Sequence, residues 1–452
     1  MIPGETFVKG TKRAYATYFL IVINTVIYLL TSYNSYFLQI SQKYLWEYSF
    51  VPVYLTSLDG WLRIFTSMFL HGYPLHILFN MYFLYVFGKA VESYIGARRY
   101  LLLYFFSGFI ASMTHSAMTF FSGVENLGIP ALGASGAISG VIGSFLALFP
   151  GTRMSICFFF FIIPLCGIIS STYFIIFWFA LQVIYGYLQL GGVAFFAHVG
   201  GFLAGFFTTV LLARGVKETL FPDFLYQITS FNYTGYPWYT YKPRGLGTVA
   251  RFILIILTLI VAIGEVISIY SATTTSHDIY YFTLKADLAQ GSSIYSSEAI
   301  VVILHSQATS SYLVAPIADD IIRILFNRLF YAGYIVNQSL KNYIGTVYFN
   351  GLITIPNLRA PPVQLNLLMN ASYNSNGILV SGEGRATTDL LICKGSFCEI
   401  QGKWVYNLFT ISGVGPVSIS EIIYIPAILS IIVTFAAFFV LILKIDREVS
   451  LT

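Results

Sequence analysis

One serine in this chain is placed as a catalytic nucleophile would be. Ser135 lies between Gly133 and Gly136, where an apolar helix is predicted to begin. A helix N-terminus presents unpaired backbone N–H groups, which stabilise a negatively charged oxygen that forms beside them. The pattern alone is more typical of a packing face with an incidental serine, because glycine and serine are common where membrane helices meet. Partners for the serine therefore decide between the two interpretations.

His198 is the predicted general base. It is the one histidine of the predicted sixth span, and it lies on the same side of the membrane as Ser135. Glycines spaced four residues apart let two helices approach closely enough for an imidazole nitrogen to reach the serine oxygen. Such pairs occur at Gly136/Gly140 and at Gly201/Gly205. The fourth, fifth and sixth spans hold no Asp or Glu, so the pair is predicted to be a dyad. Taken alone, His198 is more typical of a buried polar group with satisfied hydrogen bonds than of a base.

His76 and Asn80 are predicted to donate hydrogen bonds to an oxyanion. Their spacing places both on one helix face at the outer end of the second span. With the backbone N–H of Ser135 they could form an oxyanion hole, and a structural pair between helices is the alternative. His115, near the outer end of the third span, is the weaker candidate for the base, because its surroundings lack the glycines that close approach needs.

The composition indicates an integral membrane protein. The 452 residues are 57% hydrophobic and only 10% charged, whereas soluble domains carry roughly 25% charged residues. The net charge of +5 follows membrane topology rather than nucleic-acid binding, because Lys and Arg occur in the loops predicted to be cytosolic and at both termini, whereas the short outer loops at 121–135 and 191–194 carry none. This distribution predicts eight spans with both termini in the cytosol. Apolar runs of about 20 residues lie near 14–32, 74–91, 100–120, 136–149, 168–190, 195–213, 248–270 and 422–443.

The predicted fourth helix places Ser135 below the membrane surface. A helix from Gly136 to Phe149 is about 21 Å long, whereas the hydrocarbon core is about 30 Å thick. With its far end at the cytosolic surface, this helix leaves Ser135 several ångströms inside the outer leaflet.

Composition shifts divide the chain into five predicted parts. These are a six-span core at 1–215, a cytosolic linker at 216–247, a seventh span at 248–270, an extracytosolic domain at 271–421, and an eighth span with a short cytosolic tail at 422–452. The runs at 299–304 and 377–380 predict strands in the domain. The segment 317–331 predicts an amphipathic helix that buries Ile321, Ile322, Leu325 and Leu329. The domain is thus mixed and β-rich, and the sequence leaves open whether Cys393 and Cys398 form a disulfide.

Two further segments and one residue are expected to lie at the membrane surface. The first outer loop, 33–73, is rich in Trp, Tyr and Phe, which favours the headgroup region. The interrupted apolar stretch 155–167 is interpreted as an interfacial approach to the fifth span. Glu265, near the outer end of the seventh span, is expected to reach the headgroups.

The candidate residues belong to a larger ordered set that resembles a known family. The set is Phe69-Leu70-His71, His76-Ile77-Leu78-Phe79-Asn80-Met81, Gly88 with Glu92 and Gly96, Gly133-Ala134-Ser135-Gly136, and Ala197-His198-Val199-Gly200-Gly201. Over residues 14–213 the chain resembles a rhomboid intramembrane serine protease. The resemblance implies an all-α, six-helix core, to which this chain adds two further transmembrane helices that flank the β-rich domain.

The resemblance also implies roles for individual residues. Ser135 would be the nucleophile and His198 the base, while His76, Asn80 and the backbone N–H of Ser135 would form the oxyanion hole. Gly133, Gly136 and Gly201 would support these groups, and Glu92 would be structural.

Three positions depart from the family pattern. The Trp-Arg pair of the first loop appears as Trp61-Leu62-Arg63, and Val193 stands where a glycine is expected before Ala197. Ser139 replaces an aromatic residue that in many relatives packs on the histidine, which puts the orientation of His198 in question.

The expected function is an intramembrane serine endopeptidase. It would cut single-span membrane proteins near the outer end of the span through an acyl-enzyme, with the lipid bilayer as its other partner and the cell membrane as its location. The alternative is a catalytically silent relative that binds transmembrane helices and affects their trafficking or turnover. A transporter would need inverted repeats and charged midplane residues, which the sequence does not convincingly offer. No metal, cofactor or nucleic acid is expected, and the sequence leaves the oligomeric state open.

Overall fold

Helices form most of one unit of the molecule, and a β-sheet forms most of the other. The computed structural model describes residues 2–6, 14–122, 127–160, 163–190, 192–213, 246–274, 277–290, 293–306, 311–314, 319–355, 360–394 and 397–444. The helical unit is Met1–Gly123, Pro130–Thr274 and Ser420–Thr452, and the sheet unit is Val124–Ile129 and Thr275–Ile419. The predicted linker at 216–247 lies almost wholly outside the described residues, as do several of the basic residues that predict the orientation.

The helical unit contains the helices that the apolar runs predict. A π-helical turn, Leu84–Gly88, joins α4 to α5, so that the predicted second span consists of three consecutive helical pieces. The helices are α1 (Tyr15–Ser32), α2 (Gln42–Tyr48), α3 (Leu58–Ser67), α4 (Pro74–Phe83), α5 (Lys89–Ile95), α6 (Ala97–Ser122), α7 (Ser135–Leu148), α8 (Ser171–Tyr187), α9 (Phe195–Ala213), α10 (Thr248–Thr274) and α12 (Ile419–Leu443).

The length and composition of these helices make the chain a multi-pass membrane protein. Among the described residues, five helices are long and apolar enough to cross a membrane: Tyr15–Ser35, Ala97–Thr119, Phe195–Ala213, Thr248–Thr274 and Ile422–Leu443. Helices α7 and α8 are apolar but shorter. The total of eight spans, arranged as six plus two, remains a prediction.

Glu92 connects α5 to the first turn of α1. Its carboxylate accepts hydrogen bonds from the N–H groups of Ala16 (2.8 Å) and Thr17 (2.7 Å) and from the Thr17 hydroxyl (2.7 Å). These N–H groups have no acceptor within the helix, and a negative charge at a helix N-terminus is stabilising. Glu92 is 2% exposed, and its contacts confirm the predicted structural role.

The loop from 33 to 73 is held in place by Trp61 and Arg63 even though a leucine separates them. The Arg63 guanidinium donates to the carbonyl of Trp46 at 2.5 Å and lies 4.7 Å from the centre of the Tyr54 ring. The Trp61 indole N–H donates to the carbonyl of Leu55 at 2.9 Å. The split Trp-Arg pair therefore still anchors this loop.

The stretch at 155–167 belongs to a β-hairpin, which the sequence analysis did not foresee. Strands β2 (Arg153–Phe160) and β3 (Ile163–Ser170) pair antiparallel, and β1 (Ile2–Thr6) pairs with β2. A short apolar run does not distinguish a strand from a helix by periodicity, so the sequence left the secondary structure of this stretch open, and its interfacial position stays a prediction. The fifth helix accordingly begins at Ser171 rather than at 168.

Helices α10 and α12 contact the other helices through polar groups. The Ser268 hydroxyl of α10 donates to the carbonyl of Ala117 in α6. The Tyr187 hydroxyl of α8 donates to the carbonyl of Ile260 at 2.9 Å. Arg251 of α10 donates to the carbonyl of Leu441 in α12 at 2.7 Å. The bonds of Ser268 and Arg251 are buried, so they satisfy polar groups within the helical unit and help fix how these helices pack.

Glu265 does not reach the headgroups as expected; it is fully buried in α10. Its Oε1 accepts hydrogen bonds from the hydroxyls of Ser430 and Thr434 in α12. Ser430 also lies 2.6 Å, oxygen to oxygen, from the Thr114 hydroxyl of α6. The expectation was wrong because helix rotation decides whether a polar residue faces lipid or other helices, and a carboxyl in hydrocarbon needs partners.

Removing the donors to Glu265 should destabilise the packing of α10 against α12. We expect Ser430→Ala with Thr434→Val to lower the free energy of unfolding by about 0.6–2 kcal/mol for each lost hydrogen bond. The cause is a buried carboxyl oxygen left without donors. Thermal unfolding in detergent, with the same two changes in a Glu265→Leu background, measures the coupling. An equal loss in both backgrounds would mean that the hydroxyls act through other contacts.

The sheet unit confirms the prediction of a β-rich C-terminal region. Its seven strands run in the order β6-β5-β4-β10-β9-β8-β7, and every neighbouring pair is antiparallel. They are β4 (His277–Gln290), β5 (Ser293–Ser306), β6 (Ser311–Val314), β7 (Ile344–Ile353), β8 (Val363–Tyr373), β9 (Leu379–Lys394) and β10 (Phe397–Ser418). Helix α11 (Asp320–Tyr331) belongs to the same unit.

The predicted helix and the cysteine pair can both be located in the sheet unit. Helix α11 buries Ile322, Leu325 and Leu329 as predicted, but it buries Phe326 in place of the partly exposed Ile321. Cys398 is disulfide-bonded, and its cross-strand neighbour in the β9–β10 hairpin is Cys393. The predicted strands fall in β5 and at the start of β9.

Candidate active site

Ser135 is the first residue of α7, and the turn before it requires a glycine. Gly133 has a φ of +122°, which L side chains rarely adopt, and its N–H donates to the carbonyl of Ser67 at 2.9 Å. A Cβ atom at this position would lie 2.7 Å from His76 Nε2. Both the backbone conformation and the lack of space therefore exclude a side chain, and the turn brings Ser135 close to His76.

Helices α7 and α9 touch along their glycines, as the spacing predicts. A Cβ on Gly201 would overlap the carbonyl of Gly136, and a Cβ on Gly205 would overlap the carbonyl of Gly140. Backbone therefore packs directly on backbone, which is the close approach that four-residue glycine spacing allows. This contact places the N-terminal turn of α9, with His198, beside the N-terminus of α7.

His198 and Ser135 are within hydrogen-bond distance of each other. The Nε2 atom of His198 lies 2.8 Å from Ser135 Oγ. A candidate general base must lie about 2.6–3.2 Å from the atom whose proton it takes. The two residues that the sequence analysis singled out thus meet in the geometry that nucleophilic catalysis needs.

The other imidazole nitrogen of His198 contacts a residue that the sequence analysis missed. Nδ1 lies 2.8 Å from Gln182 Oε1 in α8. The ring of Trp178, four residues earlier in α8, lies nearly parallel to the imidazole, with a centroid distance of 6.3 Å and an angle of 29°. Ser139 instead donates to the backbone carbonyl of Ser135 at 2.7 Å. The signal in the sequence was the amide itself, because a glutamine inside an apolar helix is costly without a partner.

The Nε2 atom of His76 lies near Ser135 and carries the proton of the ring. Its Nδ1 accepts a hydrogen bond from the N–H of Gly72 at 3.3 Å, so the proton of the neutral ring lies on Nε2. This Nε2 is the atom that a Cβ on Gly133 would meet, and the same Cβ position is 3.7 Å from Ser135 Oγ. Asn80 uses its amide to donate to the carbonyl of His76 at 3.0 Å. An amide has two N–H groups, so one remains for another acceptor.

Known proteins match the part of the chain that holds these residues. The model of the Rhomboid domain family matches residues 58–215. Residues 58–215 form a rhomboid domain. The remainder, including α10, α12 and the sheet unit, lies outside this match.

Proteins similar to the rhomboid domain include plant and bacterial ones. RHOMBOID-like protein 6, mitochondrial, of Arabidopsis thaliana is 33% identical over 144 residues, which cover 32% of this chain and 41% of the relative. Rhomboid-like protein 11, chloroplastic, of the same plant is 32% identical over 134 residues, or 29% of this chain and 42% of the relative. Rhomboid protease GluP of Bacillus subtilis is 34% identical over 92 residues, which cover 20% of this chain and 17% of the relative. The chain thus spans less than half the length of each of these relatives.

A small cavity opens beside Ser135 and includes a second histidine. Its volume is about 40 Å³, which is room for a few water molecules. His115 lines the cavity, and so do Gly108 and Gly136, although the sequence analysis found no glycine near His115. His115 therefore shares the site, whereas the imidazole in hydrogen-bond contact with Ser135 Oγ is that of His198. The other lining residues include Ser67, Ala111, Ser112, Ala194 and Ala197.

Proposed function

We propose that the rhomboid domain is an intramembrane serine endopeptidase with Ser135 as nucleophile and His198 as general base. The observation that carries the proposal is the 2.8 Å distance between His198 Nε2 and Ser135 Oγ. The match of residues 58–215 to the rhomboid family, with a bacterial rhomboid protease among the relatives, supports the same chemistry.

The proposed reaction has two halves that share one base. Ser135 Oγ attacks the carbonyl carbon of the scissile peptide while His198 Nε2 takes the serine proton. The tetrahedral intermediate then breaks its C–N bond, and His198 gives the proton to the leaving amine. A water molecule attacks the resulting acyl ester of Ser135, again with His198 as base. The ester bond breaks, Ser135 recovers its proton from His198, and the carboxyl product leaves.

The oxyanion of the tetrahedral intermediate needs donors on the side of Ser135 away from the base. The backbone N–H of Ser135 has no acceptor within its own helix, because it belongs to the first turn of α7. The Nε2–H of His76 and the second N–H of Asn80 are the further donors that we propose. Donors fixed before the reaction stabilise the developing charge without reorganisation. Gly133, Gly136 and Gly201 support this arrangement because they leave no side chain between the groups.

The proposed substrates are single-span membrane proteins in the same bilayer. The cavity beside Ser135 is lined mostly by glycine, alanine and serine, together with Phe50, Leu132 and His115, and its volume is about 40 Å³, so it accepts a small side chain of the substrate next to the scissile bond. We further propose a six-span core plus two added spans, both termini in the cytosol, residues 271–421 outside, and location in the cell membrane. Relatives named as mitochondrial and chloroplastic make the membrane itself a point to test by fractionation.

Labelling with a serine-directed fluorophosphonate separates the protease from a silent relative that only binds helices. We expect the wild type to be labelled and Ser135→Ala to remain unlabelled, because only a serine with a base at hydrogen-bond distance attacks the probe. Ser139→Ala is the matched control, since Ser139 lies one helical turn further along α7 and donates to the carbonyl of Ser135. An unlabelled wild type, or labelling that survives Ser135→Ala, would contradict the proposal. Cleavage of a reporter span by the same variants completes the test.

A further inference from the structure

His198 has an acceptor at the position where a serine-protease triad has a carboxylate. In a triad, the carboxylate accepts the Nδ1–H of the histidine and thereby fixes the tautomer and the orientation of the ring. Here Gln182 Oε1 lies 2.8 Å from Nδ1, on the opposite side of the ring from Ser135. Gln182 is 8% exposed, so water does not compete freely for this contact.

The orientation of the Gln182 amide is fixed by its own helix. Its Nε2 group donates to the backbone carbonyl of Trp178 at 3.4 Å. The reversed amide would place Oε1 against that carbonyl, and two acceptors would then face each other without a proton between them. The amide oxygen is therefore the atom that faces His198.

An amide oxygen can only accept, so the proton of the neutral imidazole must lie on Nδ1. The lone pair of the ring is then on Nε2 and points at Ser135 Oγ, which is the tautomer that a general base needs. We propose that Gln182 is a positioning residue that holds His198 in this tautomer and orientation. The inference rests on the proposed function, and it turns the predicted dyad into a set of three residues.

Trp178 supports the same ring from its face. The indole lies nearly parallel to the imidazole and also contacts the ring of Phe202, with centroids 6.3 Å apart in each case. Since Ser139 is too short to cover the ring and bonds to backbone instead, Trp178 is the aromatic side chain that stacks on His198. One helix, α8, thus supplies both the acceptor and the stacking surface.

A neutral acceptor suits this position in a membrane helix. A carboxylate at the same depth would need its charge compensated when the imidazole is neutral, whereas an amide needs only hydrogen bonds. The amide stabilises the protonated imidazole less than a carboxylate would. Gln182 is therefore expected to act mainly on the tautomer and the geometry of His198.

Two substitutions of Gln182 by side chains of similar size distinguish its role as a hydrogen-bond acceptor from its role in packing. We expect Gln182→Met to lower kcat for a reporter span by roughly 10- to 100-fold with KM unchanged, a smaller loss than that of the base itself because His198 remains. Gln182→Glu restores an acceptor oxygen and should recover most of that loss. A methionine variant with kcat within twofold of the wild type, or a loss that appears in KM instead, would overturn the inference.

The tautomer of His198 can be measured without an activity assay. In protein labelled with 15N-histidine, the wild type should show His198 with its proton on Nδ1, and Gln182→Met should show a mixture of both tautomers. His198→Gln assigns the signal among the six histidines of the chain. An unchanged spectrum in Gln182→Met would contradict the inference while the labelling of Ser135 stands. If the fluorophosphonate did not label Ser135 in the wild type, the proposed function would be overturned and the inference with it.

Discussion

A reporter transmembrane segment should remain uncut by the Ser135→Ala variant while the protein still accumulates in the membrane. We expect kcat to fall by roughly 10⁴- to 10⁶-fold, because the acyl-enzyme route is lost and only binding and oxyanion stabilisation remain. His198→Ala should give a loss of similar size, since the hydroxyl of Ser135 is a weak nucleophile without a base. The double variant should be no slower than either single one, because the two residues act as a unit.

His115 provides the control for the identity of the base. It lines the cavity beside Ser135, but the 2.8 Å contact to Oγ is made by His198. His115→Ala should therefore lower kcat far less than His198→Ala, measured with the same reporter at saturating concentration. A larger loss in His115→Ala would assign the base to the third predicted span. Additive losses in Ser135→Ala with His198→Ala would show that the two residues do not work together.

The sequence predicted the parts of the site that depend on local spacing. Glycines four residues apart predicted that α7 and α9 touch, and the position of Ser135 at a helix start followed from the apolar run after it. The i, i+4 spacing of His76 and Asn80 placed both on one face. The start of α7 and the shared face of His76 and Asn80 need only the geometry of one helix. The contact of α7 with α9 needs, in addition, only that glycines leave no side chains between the two helices.

Contacts that depend on the rotation of a helix within the bundle were not predictable in this way. Gln182 meets His198 only because α8 turns that face towards α9, and Glu265 is buried only because α10 turns it towards α12. In a helix that is apolar all round, periodicity does not say which face meets protein and which meets lipid. The same limit applies to α11, where Phe326 rather than Ile321 faces the core.

A short apolar segment accounts for the element of the fold that the sequence did not predict. The residues of the β2–β3 hairpin form an apolar run next to a predicted span, and such a run is compatible with a strand or with the start of a helix. Only the pairing of residues across the turn, as between Cys157 and Cys166, identifies the hairpin. Long-range pairing of this kind lies outside what a single sequence shows.

Gly205→Ala should damage both the stability and the activity of the rhomboid domain. A Cβ at Gly205 would overlap the carbonyl, the carbonyl carbon and the Cα of Gly140. These are all backbone atoms, which cannot move by a side-chain rotation, so the two helices must separate. Overpacking of a tight contact costs about 1–3 kcal/mol, and we expect a lower midpoint of thermal unfolding in detergent. Gly205→Val should lower that midpoint further.

The same separation should reach the catalytic residues. His198 lies two helical turns before Gly205 in α9, so a shift of α9 lengthens the Nε2–Oγ distance to Ser135. A misplacement of about 1 Å can cost roughly 10²-fold in rate, and we expect kcat of the folded Gly205→Ala protein to fall by about this factor. Gly247→Ala is the matched control, because a Cβ there meets no atom within 4 Å. If Gly205→Ala kept both its unfolding midpoint and its kcat, contact between the two backbones would not be what aligns Ser135 with His198.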